Sequence, residues 1–257
     1  MMRLFSTILV AGCLAGCVQN TTYSGTDTQV AEARYDANAA ARDRISLGLA
    51  YLDRGEAEQA KFNLEKALEH APKLSDALLA MAYYYDSVQD EKNAEIYYRK
   101  AVDAKSDNAD AANNLGVFYC RHGRYPEAER WLLKAVETPG YIRMAQTYEN
   151  LGLCTLEAGW TDKAAGYFEK ALNYDGRRAV ALLELAKLDF AAGRIEPARR
   201  HLKRYHQYGD ESADSLLLAA ELAFQSHNAD EARRYGVLLL AKFPGSEQAK
   251  TYRTKYY

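Results

Sequence analysis

The stretch NNLGVFYCRHGRYPEAERWLLKAV, Asn113 to Val136, contains the pattern that decides the fold of this 257-residue chain. A small residue, Gly116, lies twelve positions before Ala128, and a second alanine, Ala135, follows seven positions after it. The first of these alanines recurs at intervals of 34 residues, with one interval of 36, as Ala60, Ala94, Ala128, Ala164, Ala198 and Ala232. A period of this length predicts an array of stacked supersecondary units.

Each period has the composition of two helices joined by a turn. Alanine, leucine, glutamate and lysine, which favour helix, fill both halves. Glycine occupies the register just after the first helix in four units, where a left-handed residue is favoured: Gly55, Gly123, Gly159 and Gly193. Gln89 and His227 take that register in the other two units, so we expect those two turns to differ.

This pattern resembles the tetratricopeptide repeat, which implies an all-α fold, an α-α superhelix (solenoid) of six repeats. We expect the repeats at about 41–74, 75–108, 109–142, 145–178, 179–212 and 213–246, followed by a C-terminal cap. Two additional residues near TPGY predict a longer loop between the third and fourth repeats. Gly236 stands where a large apolar residue is usual, and terminal repeats are often atypical because they cap the stack. The tail TYRTKYY is expected to form a capping helix, with a frayed end as the alternative.

The N-terminus indicates export. Leu4–Leu14 is an apolar run behind Arg3, too short to span a bilayer and typical of a signal peptide. The following stretch LAGC, which ends at Cys17, resembles a bacterial lipobox and implies acylation of Cys17 after removal of residues 1–16. Because Val18 is not an aspartate, the expected location is the periplasmic face of the outer membrane. The alternative is an ordinary signal peptide with an incidental cysteine.

The mature chain then divides into a tether and a repeat domain. Residues 17–28 are rich in Thr, Ser, Asn, Gln and Gly and predict a lipidated flexible tether. Residues 29–257 form the expected tetratricopeptide-repeat domain.

No catalytic motif is present in the sequence. It contains no HExxH, paired CxxC, G-x-S-x-G or glycine-rich phosphate loop, and its five histidines lack metal-ligand spacing. A formal net charge of −2 gives no electrostatic footprint for nucleic acid. We therefore expect no enzyme activity, no cofactor, no metal and no small-molecule substrate.

A helical solenoid offers a concave surface lined by the first helix of each unit. The resemblance places the following residues on it: Ile45, Leu49, Leu52, Leu79, Tyr83, Asn113, Val117, Glu149 and Leu153. The early positions are apolar, and exposed apolar patches usually mark partner sites. We expect a groove for an extended or helical protein segment. In the alternative interpretation, a helix from about Val30 folds back and covers the patch.

Cys120 and Cys154 are the two cysteines that remain in the repeat domain, on neighbouring first helices. A disulfide requires Cα atoms within about 7 Å, while packed helix axes lie about 8–10 Å apart. The pair can bond when both side chains point into the seam between the helices. We predict a disulfide that joins the third and fourth units, against the alternative of two buried free thiols.

The strings RISLGLAYLDRGEAEQAKFNLEKALEHAP, NNLGVFYCRHGRYPEAERWLLKAV, YENLGLCTLEAG and YGVLLLAKFPGS resemble the PilF/PilW family of type IV pilus biogenesis lipoproteins. The resemblance implies a pilotin, an outer-membrane lipoprotein that helps the pilus secretin reach the outer membrane and form its ring. The expected partners are this secretin and, through the lipid anchor, the membrane. A general periplasmic adaptor for outer-membrane protein assembly or cell-wall hydrolases is one alternative. An enzyme or enzyme regulator is another, which the absent site disfavours.

Overall fold

The computed structural model describes residues 36–104 and 108–256, so residues 1–16, Cys17 and the predicted tether lie outside the described residues. Every described helix belongs to one compact unit, Ala37–Tyr257. These described residues form thirteen α-helices: α1 Ala37–Asp53, α2 Ala57–His70, α3 Ser75–Ser87, α4 Glu91–Ala104, α5 Ala109–Arg121, α6 Tyr125–Val136, α7 Met144–Glu157, α8 Thr161–Tyr174, α9 Ala179–Ala191, α10 Ile195–Tyr208, α11 Ala213–Gln225, α12 Ala229–Lys242 and α13 Glu247–Tyr256.

The helices pack as six consecutive pairs, from α1 with α2 to α11 with α12. Each first helix also contacts the first helix of the next pair, as α1 does α3 and α5 does α7. Helices arranged in this way bury a continuous core between neighbouring units. The prediction of an all-α tetratricopeptide-repeat solenoid is confirmed.

Small residues set the spacing between paired helices. A Cβ atom added to Gly116 would lie 2.6 Å from Cγ of Leu132, and one added to Gly152 would lie 2.5 Å from the Phe168 ring. The recurrent alanine of each repeat is fully buried, as at Ala128. Protein interiors are close-packed, so larger side chains at these positions would force the helices apart.

The turn within each pair is alike in all six repeats, and the prediction that Gln89 and His227 would give different turns is wrong. Gln89 has φ 62° and His227 has φ 55°, in the same left-handed region as Gly55 at φ 78°. The backbone N–H of Asp90 donates to Tyr85 O at 2.8 Å, as the Glu56 N–H does to the carbonyl five residues before it at 2.9 Å. Packing of the two helices therefore imposes the turn even without glycine.

The connection between α6 and α7 is the seven-residue segment Glu137–Arg143, which contains the two additional residues. Gly140 adopts φ 76°, and the Tyr141 hydroxyl lies 2.8 Å from Thr147 Oγ1 at the start of α7. These features fold the segment against the solenoid while leaving Ile142 90% exposed.

Helix α13 closes the C-terminal end of the stack. It packs on α11 and α12, where Tyr252 is buried in a cluster with Leu216 and Leu239. A Cβ atom added to Gly236 would overlap the Tyr252 ring. The absent side chain at Gly236 thus makes room for the aromatic ring of α13, and the tail is helical as far as Tyr256.

Candidate protein-binding groove

The ninth position of each repeat forms a row along the first helices. Because the repeat period aligns equivalent positions of stacked units, this row runs Leu49, Tyr83, Val117, Leu153, Lys187 and Glu221. We call its first four members, Leu49, Tyr83, Val117 and Leu153, the apolar row. Tyr83 is 44% exposed, and the other three are partly buried. The apolar row therefore presents accessible hydrocarbon along the first helices of four consecutive repeats.

A depression of about 340 Å³ opens beside the apolar row between α3 and α5. Its lining combines apolar and polar side chains: Leu79, Tyr83, Tyr98, Asn114, Val117 and Arg121. At its edge the Arg121 guanidinium pairs with Asp86, whose Oδ1 lies 3.1 Å from His122 Nε2. Ligand pockets are commonly apolar with a few placed polar groups at the margin. This depression can accept an apolar side chain from a bound segment.

Three predicted groove residues are buried and do not form its surface. Ile45 is 9% exposed and packs in the apolar core between the first two repeats. Asn113 is 8% exposed, and its Oδ1 accepts hydrogen bonds from Thr147 Oγ1 at 2.9 Å and Asn150 Nδ2 at 3.1 Å. Buried amides need such partners because an unpaired one is costly. Ile45 and Asn113 therefore stabilise the stacking of repeats, and the prediction that they lie on the groove surface is wrong.

Glu149 is the third buried residue, at 6% exposed. Its carboxylate accepts hydrogen bonds from both Nε and Nη2 of Arg178 and from the backbone N–H of Ala181. The hydrogen bonding of Arg178 to this carboxylate raises the pKa of the Arg178 guanidinium. Glu149 joins the fourth repeat to the fifth, and its own carboxylate is not free to bind a partner.

Leu52 and Leu79 are partly buried, as are Val117 and Leu153 of the apolar row. Leu52 packs against the same cluster as Ile45, and Leu79 against the cluster that contains Phe118. These leucines have one side in the core and one side accessible. Of the nine predicted groove residues, six therefore keep accessible surface: Leu49, Leu52, Leu79, Tyr83, Val117 and Leu153.

Cys120 on α5 and Cys154 on α7 lie at the seam between the third and fourth repeats. Their Cα atoms are 5.6 Å apart, and the structure joins the two sulfur atoms in a disulfide. This Cα separation lies within the range that protein disulfides require. The side chains point into the seam, which is the geometry that the predicted bond needs.

The last two repeats present a different surface at the same row. Lys187 Nζ lies 2.9 Å from Glu184 Oε1 and 2.8 Å from Asp214 Oδ2. At the next step, Glu221 pairs with Lys255 of α13 at 2.9 Å. Helix α13 also covers the twelfth position, because the rings of Phe224 and Tyr256 stack with centroids 4.0 Å apart. Here the groove is charged, internally paired and covered.

Sequence reasoning did not identify these pairs. The charges at Lys187 and Glu221 are visible in the row, but Asp214, which pairs with Lys187, comes from the next repeat, and Lys255, which pairs with Glu221, comes from the tail. Within residues 36–104 and 108–256, no group of three or more His, Cys, Asp or Glu side chains could hold a metal ion. No helix in this part of the chain is long and apolar enough to cross a membrane.

Comparisons with known proteins agree with the geometry. Tetratricopeptide-repeat family models match residues 44–74, 75–108, 107–176 and 155–206. The chain is 35% identical over 254 residues to the type IV pilus assembly protein PilF of Pseudomonas aeruginosa, covering 99% of each protein.

Solved structures give the same grouping. The structure of Pseudomonas aeruginosa PilF matches with a TM-score of 0.76 and 37% identity, over 85% of this chain and 98% of that one. The structure of PilW, described as a widely conserved type IV pilus biogenesis factor, matches with a TM-score of 0.72 and 30% identity, over 84% and 99%. YrrB, a tetratricopeptide-repeat protein with a peptide-binding site, shares the fold at 18% identity and a TM-score of 0.59.

Proposed function

The chain belongs to the PilF/PilW family of tetratricopeptide-repeat proteins, and we propose that it is the pilotin of a type IV pilus. In this role it is a lipid-anchored scaffold that binds the pilus secretin and promotes its localisation to, and multimerisation in, the outer membrane. The observation that carries the proposal is similarity to PilF along 99% of both proteins. The accessible apolar row supports it, since a scaffold needs a surface for its partner.

Membrane attachment in the proposal depends on Cys17 and the residues that follow it. Several acyl chains anchor a protein stably, whereas a single chain binds a bilayer only marginally. A tether of residues 17–28 keeps the repeats within reach of the membrane surface and lets them move. The anchor thereby raises the local concentration of a bound secretin subunit where that subunit inserts.

The secretin segment is proposed to lie along the apolar row, with one apolar side chain in the depression between α3 and α5. Tyr83 is the best candidate for the main contact because it is both exposed and part of the depression lining. Aromatic residues in such positions often dominate binding energy. In this proposal the protein promotes assembly of secretin subunits by binding them, and this role needs no catalytic group and no cofactor.

The binding test compares two exposed aromatic residues, one on a first helix and one on a second helix of the repeats. Tyr83→Ala removes a ring of the apolar row on α3, and Phe62→Ala removes a ring that is 54% exposed on α2. We expect Tyr83→Ala to weaken binding of the purified periplasmic part of the secretin about tenfold or more, because central aromatic contacts cost about 2 kcal/mol or more. Phe62→Ala should have little effect. Equal affinities of the two variants would move the contact away from the apolar row.

The cellular test is deletion of the gene, followed by measurement of twitching, surface pili and secretin multimers. We expect loss of all three, with secretin monomers remaining. Cys17→Ser should retain secretin binding in vitro but fail to restore multimers in the outer membrane. Normal pili together with defective outer-membrane proteins or cell-wall morphology would instead favour the general adaptor.

A further inference from the structure

A pocket of about 330 Å³ lies between α10 and α12, the second helices of the last two repeats. Second helices line the outer face of such a solenoid, away from the apolar row. We call it the α10–α12 pocket, and its lining residues are Arg199, Leu202, Lys203, His206, Ala219, Leu222, Glu231 and Tyr235. Its volume is at the lower end of the range for ligand sites, which suits one or two side chains of a partner.

The floor of the pocket is hydrocarbon. Leu202, Ala219 and Leu222 are each at most 5% exposed and belong to the core of the last two repeats. An apolar side chain that entered the pocket would rest on these three residues and leave water, which is the main source of binding energy for such a contact.

Two cations, Arg199 and Lys203, and one carboxylate, Glu231, lie around the pocket. Neither cation forms a close ion pair within the described residues. Lys203 is exposed and has no ion-pair partner among the described residues. Arg199 donates to Ser226 Oγ, and its Nη1 lies 3.9 Å from Glu231 Oε2. Glu231 itself accepts from Nδ2 of Asn228, the N-cap residue of α12, at 3.0 Å. Both cations therefore keep N–H donors for an incoming carboxylate.

The equivalent seam between the third and fourth repeats carries its carboxylate on the other helix. Between α6 and α8, the residue equivalent to Arg199 is Glu129, which accepts from the Tyr167 hydroxyl at 2.8 Å and from Lys163 Nζ at 2.9 Å. At the α10–α12 seam the tyrosine is retained as Tyr235, but its hydroxyl makes no hydrogen bond within the described residues. The Glu129 carboxylate thus closes the α6–α8 seam, whereas the α10–α12 seam has Arg199 at the same position.

His206 is a further departure from the repeat pattern. The equivalent position, eight residues after the recurrent alanine, is aliphatic in the other five repeats: Leu68, Val102, Val136, Leu172 and Leu240. Burial lowers the pKa of His206 and so favours its neutral ring. Its Nε2 is buried without a hydrogen-bond partner in the described residues. Among the six repeats, an imidazole ring replaces the aliphatic side chain at this position only in the fifth repeat, where the ring lines the α10–α12 pocket.

We propose that the α10–α12 pocket is a second protein-docking site, distinct from the apolar row. A partner places an apolar side chain on Leu202 and Leu222 and pairs a neighbouring carboxylate with Arg199 and Lys203. The occupant is an acidic protein segment, because the rim is cationic and the enclosed floor fits a side chain. Two lining cations face one lining carboxylate, Glu231, so a segment with a few carboxylates and an apolar side chain fits better than the dense negative layer of an anionic membrane surface.

The experiment uses the purified chain carrying Cys17→Ser, so that acyl chains do not interfere. The probe is a fluorescein-labelled peptide, Gly-Ser-Asp-Leu-Glu-Phe-Asp-Ser-Gly, and binding is followed by fluorescence anisotropy. The comparison peptide carries Asn and Gln in place of its Asp and Glu. We expect saturable binding of the acidic peptide that weakens with salt, and at least tenfold weaker binding of the amide peptide.

The variants separate a built pocket from general charge attraction. Lys203→Glu reverses a lining charge, while Arg200→Glu makes the same change in net charge at an exposed neighbour outside the lining. We expect a loss of tenfold or more for Lys203→Glu and less than threefold for Arg200→Glu, with unchanged circular dichroism for both. Tyr83→Ala should leave this binding intact, which keeps the test independent of the proposed secretin contact.

Three outcomes would overturn the proposal. The first is an absence of peptide binding by the chain with an intact pocket. The second is an equal loss for Lys203→Glu and Arg200→Glu, which would indicate non-specific charge attraction. The third is binding to phosphatidylglycerol vesicles that Lys203→Glu abolishes while the peptide is not bound, which would assign the pocket to a membrane surface.

Discussion

The first four repeats and the last two present different inner surfaces on one scaffold. In the first four, the ninth position is apolar and accessible, from Leu49 to Leu153. In the last two, the same position carries Lys187 and Glu221, which are paired with acids and with a lysine of α13. The backbone repeat is the same in both regions, so side chains and the terminal helix decide which part of the groove remains open to a partner.

The two regions are also held together differently. A disulfide between Cys120 and Cys154 crosses a seam of the open region, whereas aromatic packing of α13 closes the other region. Ion pairs between neighbouring repeats occur in both regions.

The largest effect is expected from Tyr252→Ala in α13. This ring is 4% exposed and fills the space above Gly236. Truncating a buried aromatic side chain removes transfer energy and leaves a cavity, at a cost of about 3–5 kcal/mol. Urea unfolding should show this loss together with new binding of a hydrophobic dye to the last repeats.

Tyr208→Ala is the control, because Tyr208 is 50% exposed on α10. It should change the free energy of unfolding by less than about 0.5 kcal/mol, as surface substitutions usually do. Equal stability of the two variants would mean that α13 is not the element that closes the last two repeats.

The second effect concerns the disulfide in the open region. Cys120 and Cys154 are separated by 34 positions, and closing a loop of that size stabilises the folded state by about 2–4 kcal/mol in the chain-entropy model. Reduction should lower the free energy of unfolding by this amount, while Cys120→Ala should be less stable from the outset and insensitive to reductant. Thiol titration of the denatured, unreduced protein should find no free thiol at these positions. Two free thiols would contradict the bond.

The sequence alone predicts the helices and the accessible apolar positions. It does not predict which polar residues of the groove are buried, and the reason is physical. The 34-residue period predicts the helices, the apolar row and the closeness of Cys120 to Cys154, because all of these depend on register alone. The period does not reveal that Asn113 and Glu149 are buried, since Thr147, the partner of Asn113, comes from the next repeat and Arg178, the partner of Glu149, caps the first helix of the next repeat. Polar residues at inward positions satisfy one another across the stack, and only the packed structure identifies the pairs.

The sequence also does not show which residue of the tail packs against Gly236. Gly236 is a visible departure from the repeat pattern, but the ring that fills its space lies sixteen residues later in the tail. The turns at Gln89 and His227 give the opposite lesson. There residue preference predicted a difference, and the packing of two helices overrode it.

The third effect tests the charged part of the groove through Lys187→Met. Hydrogen bonding to Lys187 lowers the pKa of Asp214. Burial alone would lower the pKa of Lys187, but its hydrogen bonds with Asp214 and Glu184 raise it. Since both side chains are about a third exposed, the loss at pH 7 should be only about 0.5–1 kcal/mol.

The pH dependence of that loss has a definite sign. A carboxyl group whose pKa is lowered on folding contributes stability above its unfolded pKa of about 3.9, and that contribution disappears as pH falls through the folded value. The stability difference between the original chain and Lys187→Met should therefore be present at pH 7 and shrink below about pH 4. Lys250→Met is the control, because its partner Glu247 is 80% exposed, and it should show no such difference. A loss that persists in acid would assign Lys187 a packing role.

The smallest effect is expected at the two non-glycine turns, one in each region. Gln89→Gly and His227→Gly place glycine where φ is 62° and 55°. A side chain in the left-handed region costs about 1–2 kcal/mol, while glycine adds about 1 kcal/mol of unfolded-state entropy, so each variant should gain only about 0.5 kcal/mol. Differential scanning calorimetry at matched pH can resolve a small rise in melting temperature. The converse, Gly123→Gln, should lose about as much because Gly123 has φ 69°. If His227→Gly is stabilising and Gln89→Gly is not, the strained turn is compensated only in the open region, and the two regions differ in their backbone as well as in their surfaces.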